Sequence, residues 1–172
     1  MMIIKMSILF LIFGASTAIG ILVSSKYKNR VSDLREIKNA LSMFETKIRY
    51  TYETIPEIFR QIYDSFKNNE SNISNIFKIA SENMKYKPAG DAWELALDIC
   101  STSMNKEDIK TLKGLNKLLG KTDLQGQISE IELTTSFLDV QITQAIKEKE
   151  KNEKLYKTLG MITGIAIVII LI

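Results

Sequence analysis

Two apolar runs frame this sequence, from Ile3 to Val23 and from Leu155 to Ile172, and the stretch between them is charged. Each run is about long enough for a helix to span a bilayer. The pattern predicts transmembrane helices over 1–25 and 155–172 and a soluble domain over 26–154. Within the domain the apolar positions keep helical spacing. Leu34, Ile37, Leu41, Phe44 and Ile48 form an a/d stripe on one helix face, which gives out near Tyr50-Thr51-Tyr52. Thr54 and Glu57 sit at capping-box positions around Pro56, and the stripe that follows is Ile55, Phe59, Ile62 and Phe66. Residues 67–71 are polar and read as a loop. A third helix runs through Ile73, Phe77, Ala80 and Met84 and is predicted to stop at Pro88-Ala89-Gly90.

Asp91 with Glu94 is expected to open a fourth helix carrying Trp93, Ala96, Leu97 and Cys100. A fifth begins at Asn105, with Glu107 and Asp108 at its positive end, and runs through Ile109, Leu112, Leu115 and Leu119 to a left-handed stop at Gly120. Thr122 caps the last helix, with Gln125 completing the box. No stretch alternates apolar and polar residues. The expected fold is all-α: a single compact bundle of about five or six helices flanked by an N-terminal and a C-terminal transmembrane helix.

The last helix carries two apolar stripes. Leu124, Ile128, Ile131, Thr135, Leu138, Ile142 and Ala145 form one, and Leu133, Phe137 and Val140 form another on the opposite side. A helix apolar all round is usually buried, so a central place in the bundle is the expectation. The alternative is that Leu133, Phe137 and Val140 face a protein partner. Beyond Lys147 the apolar stripe stops. Glu150 with Lys154, and Glu153 with Lys157, have the spacing and order of favourable exposed pairs, which suggests a solvated stalk leading to the bilayer.

Charge gives the anchors a direction. Lys26, Lys28 and Arg30 follow the first run, and Lys147, Lys149, Lys151, Lys154 and Lys157 precede the second. The positive-inside rule therefore puts the domain in the cytoplasm and both termini outside. The same lysines are placed to touch anionic headgroups in a general way. A cleavable signal peptide ending near Ser16-Thr17-Ala18 is the competing reading of the first run. The run's extension to Val23 and the basic residues directly after it favour an uncleaved anchor. The net charge of +3 gives no reason to expect nucleic acid.

Candidate chemistry is sparse. The sequence has no histidine, which removes the Ser/His and Cys/His nucleophile pairs and the most versatile metal ligand. Its single cysteine, Cys100, forms no internal disulfide and lies in line with an apolar stripe, as a buried, inert thiol would. Glu45, Glu53, Glu57, Glu82, Glu94, Glu107, Asp108, Glu130, Glu132 and Asp139 follow no di-metal pattern and read as caps and solvated positions. No glycine loop is built to cradle a phosphate. The expectation is no enzyme, with no catalytic residue, metal or cofactor. In the apolar runs, Gly160 with Gly164, and Gly14 with Ala18, have the small-x-x-x-small spacing that lets helix backbones approach, and are predicted to pack the two anchors together or against other spans.

The segment Lys151-Asn152-Glu153-Lys154-Leu155-Tyr156-Lys157-Thr158-Leu159-Gly160, followed by an apolar end, resembles the stage III sporulation protein AB family of spore-forming Firmicutes. So do Leu119-Gly120 leading into Asp123, Ala92-Trp93-Glu94, and Arg35, Ala40-Leu41, Glu45, Ile48 and Tyr50. The resemblance implies membership of a complex made in the mother cell that connects to the engulfed forespore, related to specialised secretion machines. The family is similar to the inner-membrane platform protein F of type II secretion and type IV pilus systems. It implies as partners the cytosolic ATPase stage III sporulation protein AA and other membrane subunits, and it brings no catalytic residues. The platform proteins have duplicated cytosolic domains and more spans, whereas this sequence has one domain.

The expected function is thus a non-enzymatic membrane platform subunit whose helical domain engages the ATPase, with the bilayer as a further partner and homo-oligomerisation left open. The rival is a two-span sensor or tether with an extracytoplasmic helical ligand-binding domain. That rival requires the domain outside and an output domain after the second span, where this sequence stops at Ile172.

Overall fold

A computed structural model describes residues 2–66, 72–117, 119–120 and 123–171. Among these residues every regular element is helical. The order is α1 (Met2–Tyr50), α2 (Ile55–Phe66), α3 (Asn72–Asn83), α4 (Ala89–Ile99), α5 (Lys106–Lys113), a 3-10 turn (Gly114–Lys117) and α6 (Leu124–Leu171). The all-α expectation is met. The chain divides into two compact units: Ser32–Thr143 forms a bundle, and the residues up to Val31 pair with those from Gln144 onward. The first and last helices contribute to both.

The bundle is built on the stripes that the sequence displays. Leu34, Ile37, Leu41 and Phe44 of α1, Ile58, Phe59 and Ile62 of α2, Ile76 and Phe77 of α3, and Trp93 of α4 are all essentially inaccessible to solvent. Four aromatic rings knit these helices together. Phe59 lies 5.0 Å from Phe44, 5.1 Å from Phe77 and 5.7 Å from Trp93, centroid to centroid, each pair edge to face. Such pairs add roughly 0.5–1.5 kcal/mol each beyond area burial. The Trp93 indole Nε1–H donates to the Leu112 carbonyl at 2.8 Å, so the one polar atom of this ring is buried without penalty.

Several helix ends differ from expectation. Pro88 does not stop α3, which has already ended at Asn83; it occupies the N-cap position of α4, and Ala89 and Gly90 form that helix's first turn. Proline suits a helix start because the N–H it lacks would have no intrahelical partner there. Gly90 is required for closeness: a Cβ on it would stand 2.1 Å from the Asn116 carbonyl oxygen. Asp91 accordingly lies inside the first turn and caps nothing. α5 is shorter than its stripe suggests and tightens into the 3-10 turn, but Gly120 has the left-handed φ of 71° expected of it. Asn105 and Asp108 make a full capping box, with Asn105 Oδ1 accepting from two backbone N–H groups at 2.9 Å. Asp123 caps α6 by accepting from the Gly126 N–H at 3.0 Å. Thr122 and the loop at 67–71 lie outside the described residues. At Thr54 only half of the box is made: the Glu57 carboxylate accepts from both the N–H and the hydroxyl of Thr54 at 2.8 Å, which lowers the Glu57 pKa.

The central place expected for α6 is not found. Ile128, Ile131 and Leu138 are buried, but Leu133, Phe137 and Val140 are 49%, 53% and 69% exposed. Ion pairs from Arg49 to Glu132 (2.8 Å) and from Lys38 to Asp139 (2.5 Å) link α6 to α1 along one side, and the second stripe stays in solvent.

In the other unit the apolar parts of α1 and α6 are largely uncovered. Phe10, Leu11, Ile19 and Leu22 of α1 are more than half exposed, as are Ile162 and Ile169 of α6. Among the described residues one helix, α1, is long and apolar enough to cross a membrane, and only 11% of its most apolar stretch is buried.

Phe59 touches three of the four clustered rings, so Phe59→Ala should lower the unfolding free energy of the bundle by ~3–5 kcal/mol. Urea denaturation followed by circular dichroism checks this. A loss below ~1 kcal/mol would mean the cluster is not the centre of the core.

Candidate interaction surfaces

The first surface is the outer side of α6. Leu133, Phe137 and Val140 follow one another at steps of four and three, so they stand in line on the helix. The carboxylates beside them are already engaged: Arg49 holds Glu132 as well as Glu45, the latter at 2.7 Å, and Lys38 holds Asp139. Exposed pairs of this kind contribute little stability. Their effect is to neutralise the charged edge of the strip. What remains is a short apolar strip on a regular helix, suited to packing against another protein rather than to chemistry.

The second surface is the pairing of the chain's ends. Here the backbones of α1 and α6 come close enough that side chains are excluded. A Cβ on Gly20 would stand 2.7 Å from the Tyr156 carbonyl oxygen, and one on Gly160 would stand 2.9 Å from the Gly20 Cα. The Ser16 hydroxyl donates to the Gly160 carbonyl at 2.9 Å, and Gly164 packs against Phe13 and Ser16. Gly160 and Gly164 therefore lie at the contact. Gly14 and Ala18 do not: Gly14 has open space where a Cβ would be, and Ala18 is exposed. The α1 side of the contact is Phe13, Ser16 and Gly20, rotated from the small pair that the sequence suggests.

Polar residues continue the pairing. The rings of Tyr27 and Tyr156 stack with centroids 5.9 Å apart and planes at 15°. Arg30, itself 8% exposed, pairs with Glu148 at 2.6 Å, and Ala145 is buried. The 147–154 stretch is therefore not the free-standing solvated stalk expected, because its inner face is occupied by α1. Of the two lysine–glutamate pairs predicted there, Glu153–Lys157 forms at 2.7 Å. Glu150–Lys154 does not form among the described residues; Glu153 instead reaches back to Lys149 at 3.9 Å. The Lys157 ammonium, helped by Lys149 and Lys28, holds the Glu153 carboxyl below the usual carboxylate range.

Elsewhere the titratable groups are structural. Among the described residues no group of three or more His, Cys, Asp or Glu side chains could hold a metal ion. Burial pushes the Cys100 thiol up in pKa, away from the reactive thiolate. Burial likewise raises Asp33, which accepts from the Ser103 N–H at 2.6 Å and so ties α1 to the link between α4 and α5. Ser16, Gly20, Tyr27, Arg30 and Glu148 were not expected from the sequence to form the contact between the two helices. A usable signal existed for the first two: Leu9, Phe13, Ser16 and Gly20 follow helical steps and end in a small pair four apart.

Together, these observations define the class as an all-α helical protein with one helix long and apolar enough to cross a membrane. The comparisons make the family specific. The sequence profile of the stage III sporulation protein AB family matches residues 5–172, and the chain belongs to that family. It is 27% identical over 161 residues to stage III sporulation protein AB of Bacillus subtilis (strain 168), covering 91% of this chain and 92% of that protein. A solved structure of a stage III sporulation protein AB superposes with a TM-score of 0.64 at 23% identity, covering 72% of this chain and 98% of the solved one. That likeness shows that the fold is shared.

The close contact predicts an asymmetry between two glycines with the same substitution. In a Cys100→Ser background carrying Tyr27→Cys and Tyr156→Cys, a bifunctional thiol reagent should join the two helices. Adding Gly160→Val should abolish most of the cross-link, whereas adding Gly14→Val should leave it unchanged. Equal effects would show that the contact is not where the geometry has it.

Proposed function

We propose that the protein is a membrane platform subunit of a secretion-like sporulation complex, anchored through both apolar ends, with its helical bundle in the cytoplasm. In this reading the bundle engages a partner ATPase, stage III sporulation protein AA, and the subunit itself performs no chemistry. The observation that carries the reading is the exposed apolar strip on α6. Leu133, Phe137 and Val140 lie outside the core, so they add nothing to folding that would explain their exposure. A short apolar strip with neutralised edges has the composition of an interface centre. The extensive apolar exposure of the paired ends supports bilayer insertion of α6 as well as α1. The lysines and arginine following the first run and preceding the second support a cytoplasmic bundle. Family membership supports the sporulation role, and the family's similarity to platform protein F supports the scaffold role.

The deciding experiment pairs binding with stability. Phe137→Glu with Val140→Glu should reduce capture of the ATPase from sporulating cells by at least tenfold. Because both side chains are exposed, the unfolding free energy from urea denaturation should change by no more than ~0.5 kcal/mol per substitution. Retained binding in a folded variant would exclude this strip as the contact. Topology is tested separately by an alkaline phosphatase reporter inserted at the exposed Tyr86 turn. No activity is expected; activity would place the bundle outside and favour the sensor reading.

A further inference from the structure

The lysines beside the paired ends form a built feature rather than a diffuse charge. Lys149, Glu150, Glu153, Lys154, Lys157 and Thr158 line a shallow groove of about 400 Å³ along one face of α6. Glu153 organises it by binding the ammonium groups one turn to either side, Lys157 at 2.7 Å and Lys149 at 3.9 Å. Lys28 of α1 is near enough for its charge to act on Glu153. Lys154, exposed at the same place, has no carboxylate partner among the described residues. Charge is in surplus: between 147 and 157 five lysines oppose three glutamates, and one of those glutamates, Glu148, is taken by Arg30.

The depth of the groove is marked from both directions. Within the paired ends, exposed apolar side chains begin on α6 at Leu155 and Leu159 and end on α1 at Leu22, before Lys26 and Lys28. The Tyr27–Tyr156 stack lies at the same level, and paired tyrosines there have the amphipathic character that favours the headgroup region. The groove therefore opens where lipid phosphates lie whenever the apolar ends are in a bilayer.

We propose that this groove is a binding site for an anionic phospholipid headgroup, with Lys154 and Lys157 donating to its phosphate and the Thr158 hydroxyl beside them. The proposal rests on the membrane-anchored reading above. An acidic headgroup gains from each lysine, and a zwitterionic one cancels most of that gain with its own cation. One juxtamembrane lysine near an anionic surface changes association by roughly fivefold, which is the ~1 kcal/mol per residue expected there. The site selects the lipids in contact with the protein; it is not itself a catalytic or transport site.

The test is electron paramagnetic resonance of spin-labelled phosphatidylglycerol and phosphatidylcholine in vesicles carrying the full chain. The motionally restricted lipid should favour phosphatidylglycerol by roughly 25-fold, about fivefold for each of the two lysines. Lys154→Gln should cut that preference to about a fifth, and Lys154→Gln with Lys157→Gln should abolish it. Lys85→Gln with Lys87→Gln, an equal charge loss in the bundle, should leave it intact. The proposal is overturned by an absent preference, by an equal loss in the bundle control, or by inorganic phosphate removing the preference, which would assign the groove to a free anion. A restricted component without headgroup preference sinks this inference alone. No restricted component with either lipid sinks the bilayer reading along with it.

Discussion

The lateral pairing of the first and last helices is the interaction on which both units of this protein depend. In the bundle it takes the form of a buried apolar seam, flanked by Lys38–Asp139 and Arg49–Glu132. In the paired ends it becomes direct backbone contact at Gly20 and Gly160, followed by the tyrosine stack and the Arg30–Glu148 pair. The chemistry changes with the surroundings each segment is built for. Bulky apolar side chains exclude water in the bundle. Between the apolar ends, close backbone approach and dispersion carry the contact.

Much of the fold is legible in the sequence because helical periodicity reports burial directly. The stripe on α1 and the Phe59–Trp93 neighbourhood are core in the structure because nothing competes with their apolar character. The helix ends are less legible. Pro88-Ala89-Gly90 reads as a terminator when only local turn chemistry is considered. Its actual role at the start of α4 depends on Gly90 meeting Asn116, a residue far along the chain. The second stripe of α6 is misread for a related reason. Periodicity shows that Leu133, Phe137 and Val140 are apolar, but it cannot show that the bundle supplies no helix to cover them. Gly14 and Ala18 illustrate the same limit inside an apolar run, where every face looks alike and the contact face is fixed by Phe13, Ser16 and Gly20.

A protein of this family places its features where work on neighbours is possible. Its bundle spends its aromatic residues on a firm interior and leaves one apolar strip outside. Its ends keep their contact face small and their remaining surface apolar. Burial raises the pKa of the half-buried Cys100 thiol, and among the described carboxylates Asp108 serves in a cap, Glu148 in an ion pair and Asp33 in a tether between elements.

The single tryptophan has a practical consequence. Trp93 is wholly buried among Phe59 and Phe77 and hydrogen-bonded to Leu112, and the paired ends contain no indole at all. The chain's tryptophan emission is therefore a private signal of the bundle interior, distinct from that of the tyrosines in the paired ends. Conversely, a tryptophan introduced near Tyr156 would report the surroundings of the paired ends. The protein thus separates, by where it puts one ring, the optical record of its folding from that of its surroundings.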